Sequence, residues 1–117
     1  MAKYERRLKG DFDDFLQRLD DGVLGGSISA SYEDGSRYKI GDVRCAVRVY
    51  ERYSVAGSNR VSLNITLIGK GDELFVSAIT SGGSQAVLFK LNTIGEESFL
   101  DNVINIIEGY ENNRQTK

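Results

Sequence analysis

The stretch "SAITSGGSQAVLFK", Ser77–Lys90, decides how many strands the chain can make. Ser81-Gly82-Gly83-Ser84 reads either as a cradle for a phosphate or as the point where a hairpin turns. A phosphate loop runs straight into a helix N-terminus and usually carries Gly-Lys-Ser/Thr. Here "QAVLFK" follows, which has the alternation of a strand. Paired glycines also suit a tight primed turn, since they accept positive φ at little cost. With Gly82 and Gly83 at the turn, Ala78 faces Val87, Val76 faces Phe89 and Leu74 faces Leu91, apolar against apolar. The stretch therefore predicts a hairpin, with a strand over residues 85–91.

The same arithmetic extends upstream. A Lys70-Gly71 turn sets Leu67 against Leu74, Ile65 against Val76 and Leu63 against Ala78. A loop at Tyr53–Gly57 sets Val49 against Val61, Val47 against Leu63, Cys45 against Ile65 and Val43 against Leu67. Val43, Cys45, Val47 and Val49 then become the inward set of the third strand. Before them, "EDGSR" predicts a hairpin with an Asp34-Gly35-Ser36 loop, between a strand from Ser27 and one entered at Tyr38 and Ile40. Inward residues change from even to odd between Ile40 and Val43, which calls for a β-bulge near Gly41.

The ends of the chain read more simply. Residues 2–9 alternate, with Tyr4 and Leu8 on one side and Lys3, Glu5, Arg7 and Lys9 on the other: a short edge strand. Asp11 is placed to cap a helix whose face is Phe12, Phe15, Leu16, Leu19 and Val23, ended by Gly22, Gly25 and Gly26. Thr93 and Glu96 have the spacing of a capping box. After them Phe99, Leu100, Val103, Ile104, Ile107 and Tyr110 form a wide apolar stripe, fit to lie across a sheet.

The expected order is β-α-β-β-β-β-β-α. This is an α+β domain with an antiparallel six-stranded sheet and two helices packed on one face. The first strand is expected at the far edge, beside residues 85–91. Residues 1–111 are assigned to the single domain and 112–117 to a frayed C-terminal tail. The topology resembles the TATA-binding-protein-like or helix-grip architecture, whose members include DNA binders and carriers of apolar ligands, so the likeness does not choose a function. "VLGGSISASYED" and "ITSGGSQAVLFKLNTIGEESFLD" carry a closer resemblance, to small bacterial proteins grouped as a family of unknown function. That resemblance implies no activity, cofactor or catalytic residue.

Composition narrows the candidates. The chain has 117 residues, no histidine, one cysteine and a formal net charge of −2. Without histidine the commonest general base and metal ligand is missing, and one cysteine rules out a Cys/His zinc site. The acidic balance disfavours duplex DNA and anionic membranes as partners. No apolar run reaches the ~20 residues of a membrane span, and "MAKYERRLKGDFDDF" lacks the apolar core of a secretory signal. A cytoplasmic location fits these features.

Two surfaces are candidate sites. Arg44, Arg48 and Arg52 are expected on the outward side of the third strand, with Tyr50 between them and Arg60 opposite Tyr50. They read as an anion-binding face or as a solvated face whose arginine stems cover apolar surface. Phe75, Ile79, Leu88 and Lys90 are expected on the far side of the last hairpin, as an interface with a partner or as ordinary scattered exposure. Cys45, expected inward against Ile65, reads as a small hydrophobe. Asp11, Asp13 and Asp14 sit where carboxylates favour a helix dipole. No catalytic residue, metal site or cofactor is indicated. The first expectation is a non-enzymatic interaction domain acting through the outer sheet face, with a homodimer as one form of it. A carrier or sensor of a small apolar or anionic ligand comes second, and an enzyme third.

Overall fold

The computed structural model describes residues 1–53, 60–82 and 89–115. Strand β1 (Ala2–Lys9) leads into helix α1 (Phe12–Gly25). Four strands follow, β2 (Ser31–Ile40), β3 (Val43–Tyr53), β4 (Arg60–Lys70) and β5 (Glu73–Gly82), and then helix α2 (Phe89–Gln115). The strands form one antiparallel sheet in the order β1-β5-β4-β3-β2, which makes β4 the central strand. The chain is thus α+β, with its two helices on one face of a five-stranded sheet.

Helix α1 forms as its sequence predicts. The Asp11 carboxylate accepts the backbone N–H of Asp14 at 2.8 Å, satisfying a first-turn donor that has no partner inside the helix. Its buried face is Phe12, Phe15, Leu16, Leu19 and Val23. Gly22 does not end the helix. A Cβ there would lie 2.5 Å from Ile106 Cδ1, so this glycine lets α2 cross α1 closely. From α2, Phe99, Leu100, Val103, Ile107 and Tyr110 are buried. The Tyr110 ring rests 4.8 Å from that of Phe15, and its oxygen accepts the Asp11 N–H at 3.1 Å. Beneath the helices lie Leu63, Ile65 and Leu67 of β4 with Leu74, Val76 and Ala78 of β5, all buried.

Three expectations are corrected. First, the sheet has five strands and not six. The backbone is already helical at Phe89, so Phe89–Leu91 open α2 instead of closing a hairpin, and the helix starts before Thr93. Gly83 and the rest of the expected strand, residues 83–88, lie outside the described residues. The physical reason is occupancy. β1 pairs with β5 along its whole length, from Ala2↔Thr80 to Lys9↔Glu73, so the free edge of β5 is already taken. At its other end α2 runs through residues 112–115, which the sequence set apart as a tail.

Second, Asp34-Gly35 lies within β2, and the chain reverses at Gly41-Asp42, where Ile40 pairs with Val43. Gly41 has φ +58° and Gly71, in the equivalent turn before β5, has φ +59°; each supplies the left-handed residue of a two-residue hairpin. Gly35 is instead a close-approach position. A Cβ there would press on the Tyr32 hydroxyl and lie 2.8 Å from the Val47 carbonyl oxygen. The bulge falls between Tyr32 and Asp34, not at Gly41.

Third, the face of β3 is inverted. Tyr53 pairs with Arg60, and from there Tyr50 opposes Leu63, Arg48 opposes Ile65 and Ala46 opposes Leu67. Val49, expected against Val61, opposes Asn64, and Cys45, expected against Ile65, opposes Ile68. An odd displacement turns every side chain of a strand to the opposite face. The β4–β5 register is also displaced, with Leu67 on Val76, but by an even step, so its inward residues stay inward.

Candidate functional site

The inversion of β3 relocates the arginine surface. Arg44, Arg48 and Arg52 alternate with buried Ala46 and Tyr50, so they project to the helix side of the sheet. Arg44 reaches Asp13 of α1 at 2.9 Å and lies over the Phe12 ring at 4.6 Å. Asp13 also holds Arg37 of β2, at 2.6 Å. Hydrogen bonds from Arg37 and then Arg44 keep the Asp13 carboxyl below its ordinary pKa. Arg48 stands 3.4 Å from Asp20, one helical stretch further along α1. Arg52 meets no carboxylate among the described residues; it donates to the Ser98 hydroxyl at 3.0 Å and lies 4.4 Å over the Phe99 ring. Arg60 does not join them. It opposes Tyr53 rather than Tyr50, sits on the other face, and pairs with Glu51 at 2.6 Å and Glu33 at 3.3 Å.

At the middle of this arginine row Tyr50 is fully buried, and its hydroxyl donates to Asp20. Burial, and next the bond to Asp20, hold the Tyr50 phenol well above its ordinary pKa, so it stays neutral. Tyr32 closes the group edge-on, 6.0 Å from Tyr50, and Arg48 lies over the Tyr32 ring. The sequence alone did not give Asp20 a role. The signal was there: Asp13 and Asp20 are two turns apart on one flank of α1, beside the apolar stripe. Their carboxylates tie the edge of α1 to β3 and β2, where the buried apolar layer of β4 and β5 gives way to arginine.

Among the described residues, no helix lies on the opposite face of the sheet. Cross-strand pairing sets Tyr38, Cys45, Ile68, Phe75 and Arg7 in a single row across all the strands. A neighbouring row holds Asp34, Val49, Asn64, Ile79 and Lys3, and Ser36, Val47, Thr66, Ser77 and Glu5 lie between the two. None of these residues is buried. Tyr38 is 68% exposed and Ile40 69%, while Ile68 and Ile79 are each more than a third exposed. Cys45, expected in the core, belongs to this face. So do Phe75 and Ile79 of the expected interface; Leu88 and the side chain of Lys90 lie outside the described residues. Where Arg7, Lys9 and Lys70 approach Leu8, Ile68, Leu74 and Phe75 there is an open depression of about 640 Å³.

Two helices laid on one face of an antiparallel sheet, with the other face open and partly apolar, define a two-layer α+β domain. The chain belongs to the family of unknown function DUF6054, whose model matches residues 1–111. A search of curated proteins found no match. No helix among the described residues is long and apolar enough to cross a membrane. Among the same residues, no group of three His, Cys, Asp or Glu side chains is placed to hold a metal ion.

Proposed function

We propose that this chain is a non-enzymatic interaction domain that docks its partner on the open sheet face, in the cytoplasm. The observation that carries the reading is the row Tyr38, Cys45, Ile68 and Phe75, which crosses four adjacent strands without reaching a helix. A continuous apolar strip on a solvent-facing sheet costs solubility unless something covers it. The residues that a search for core positions selects in β3, Val43, Cys45, Val47 and Val49, all lie on this side. Kinship with the TATA-binding-protein-like or helix-grip architecture is supported by the C-terminal helix laid over an antiparallel sheet whose other face is free.

A photo-crosslinking residue placed at Tyr38, in cells expressing the protein, tests this. It should give discrete adducts, and the same residue at Leu24, exposed on α1, should not. Adducts of equal yield from both positions, or none from Tyr38, would sink the reading.

One observation supports a second reading, a carrier of a small anionic amphiphile. The depression joins apolar Ile68 and Phe75 to the cations Arg7, Lys9 and Lys70, with Glu73 the one carboxylate among its lining residues. Native mass spectrometry separates the two readings: retained mass of a few hundred daltons, lost in Ile68→Lys, favours the carrier.

A further inference from the structure

The open face has a symmetry of its own. We propose that its partner is a second copy of the chain, packed sheet to sheet about a two-fold axis running along β4. This rests on the docking-face reading above. β4 is the central strand, so that axis lays β1 of one copy over β2 of the other, and β5 over β3. The cross-strand rows then superpose. In the first, Ile68 meets the partner's Ile68, Cys45 meets the partner's Phe75, and Tyr38 meets the partner's Arg7. In the other, Val49 meets the partner's Ile79, and Asp34 meets the partner's Lys3.

The pairing is complementary at the centre and at the rim. Apolar side chains oppose apolar ones, an arginine covers a tyrosine ring, and a lysine opposes an aspartate. Both edges supply the charge. On its open side β1 carries Lys3, Arg7 and Lys9, with Glu5 bound to Ser77 at 2.9 Å. The opposite corner carries Asp34, with Glu33 and Glu51 around Arg60. Lys70 meets the partner's Lys70 at the far end, flanked in its own row by Glu73. A two-fold perpendicular to the strands, through the Thr66 row, would instead lay β1 over β1 and set Arg7 on the partner's Lys3 and Glu5 on the partner's Glu5, so the charges select the axis along β4.

The size is sufficient. Five strands about 4.8 Å apart and some eight residues long present about 650 Å² per copy, or about 1,300 Å² in all. Stable specific interfaces begin near ~1,200 Å². Sheets pack face to face about 10 Å apart, which suits faces of short and branched side chains such as Val47, Cys45 and Thr66.

Sedimentation equilibrium of the full chain across the micromolar range should show a dimer for the wild type. Phe75→Lys and, as a second variant at the exposed edge, Tyr38→Lys, which sets like charge against the partner's Arg7, should raise the dissociation constant at least tenfold with unchanged circular dichroism. Lys3→Asp and Asp34→Lys should each weaken the dimer, and the double exchange should restore it. In a Cys45→Ser background, Ile68→Cys on the axis should be joined by a short bismaleimide, and Ile79→Cys should not.

A wild type that stays monomeric to several hundred micromolar overturns the self-association; adducts from Tyr38 to another protein would then keep the docking face. A dimer untouched by both Phe75→Lys and Tyr38→Lys overturns the proposal and the docking face together. A dimer lost in those variants but never joined through Ile68→Cys overturns the axis alone.

Discussion

The two faces of this sheet are built from similar residues and meet different fates. On one side Leu63, Ile65, Leu67, Val76 and Ala78 are at most 1% exposed beneath α1 and α2. On the other Val43, Cys45, Val47 and Val49 of β3 are just as apolar in type, yet half-buried only by their neighbours in the sheet. The lesson is that apolar alternation identifies a strand but not the side on which its cover lies. A helix layer narrower than the sheet makes the difference. α1 and α2 bury the β1-β5-β4 side, and the helix-facing flank of β3 is finished with Arg44, Arg48 and Arg52 against the acidic edge of α1.

The contrast can be broken most severely from the covered side. Leu63→Ala should cost about 2–5 kcal/mol, because the transfer loss is joined by a cavity under two helices that cannot collapse. Urea unfolding monitored by circular dichroism measures it. A cost below about 1 kcal/mol would mean that the helix layer is not where the sheet draws its stability. Gly22→Val should cost about 1–3 kcal/mol by forcing Ile106 and α2 outward. Its thermal midpoint should fall, and Gly25→Val, at a position where a Cβ meets nothing within 4 Å, should fall less.

The boundary between the regimes is Tyr50. Tyr50→Phe should cost about 1 kcal/mol at neutral pH by removing the donor to Asp20. The folded phenol has a raised pKa, so its contribution is full below the unfolded value near ~10 and is lost as pH rises toward the folded value. The gap between wild type and Tyr50→Phe should therefore shrink above pH ~10, and a gap that widened there would refute the buried, neutral phenol.

Smaller still is Asp13→Asn. Its side chain is 58% exposed, so solvent screening limits the loss to about 0.5 kcal/mol. A depressed carboxylate contributes above its unfolded pKa of ~3.9 and ceases to as pH falls through the folded value. Wild type and variant should converge in acid. The smallest effect belongs to the open face. Tyr38→Ser should change the stability of the isolated fold by less than about 0.5 kcal/mol, so a larger loss in dilute solution would show that the face is already covered within one chain.

Much of the fold was legible because local rules and burial agreed there. The Asp11 cap, the α1 face from Phe12 to Val23, and the α2 face from Phe99 to Tyr110 follow one helical period. β4 and β5 kept their inward residues through an even change of register. The misreadings share a cause: each turned on which of two similar features the tertiary structure would use. Asp34-Gly35 and Gly41-Asp42 both carry turn chemistry, and only the second reverses the chain, since Gly35 is needed where Tyr32 and Val47 come close. Phe89–Leu91 could not close a strand beside β5 once β1 held that edge, a choice fixed by residues far away in sequence. The arginines of β3 were found, but not their partners, because Asp13 and Asp20 lie on an element joined to β3 only through the fold.

The pairing of β1 with β5 also governs the order of events during synthesis. Ala2–Lys9 leave the ribosome ahead of every other strand, yet their hydrogen-bonding partners Glu73–Thr80 are among the last strand residues to emerge. Until then α1 has no completed sheet on which to bury its apolar face. Contacts so distant in sequence favour slow folding that must await the whole sheet. Removal of residues 1–9 would leave β5 as a bare edge open to strand addition by a neighbouring molecule.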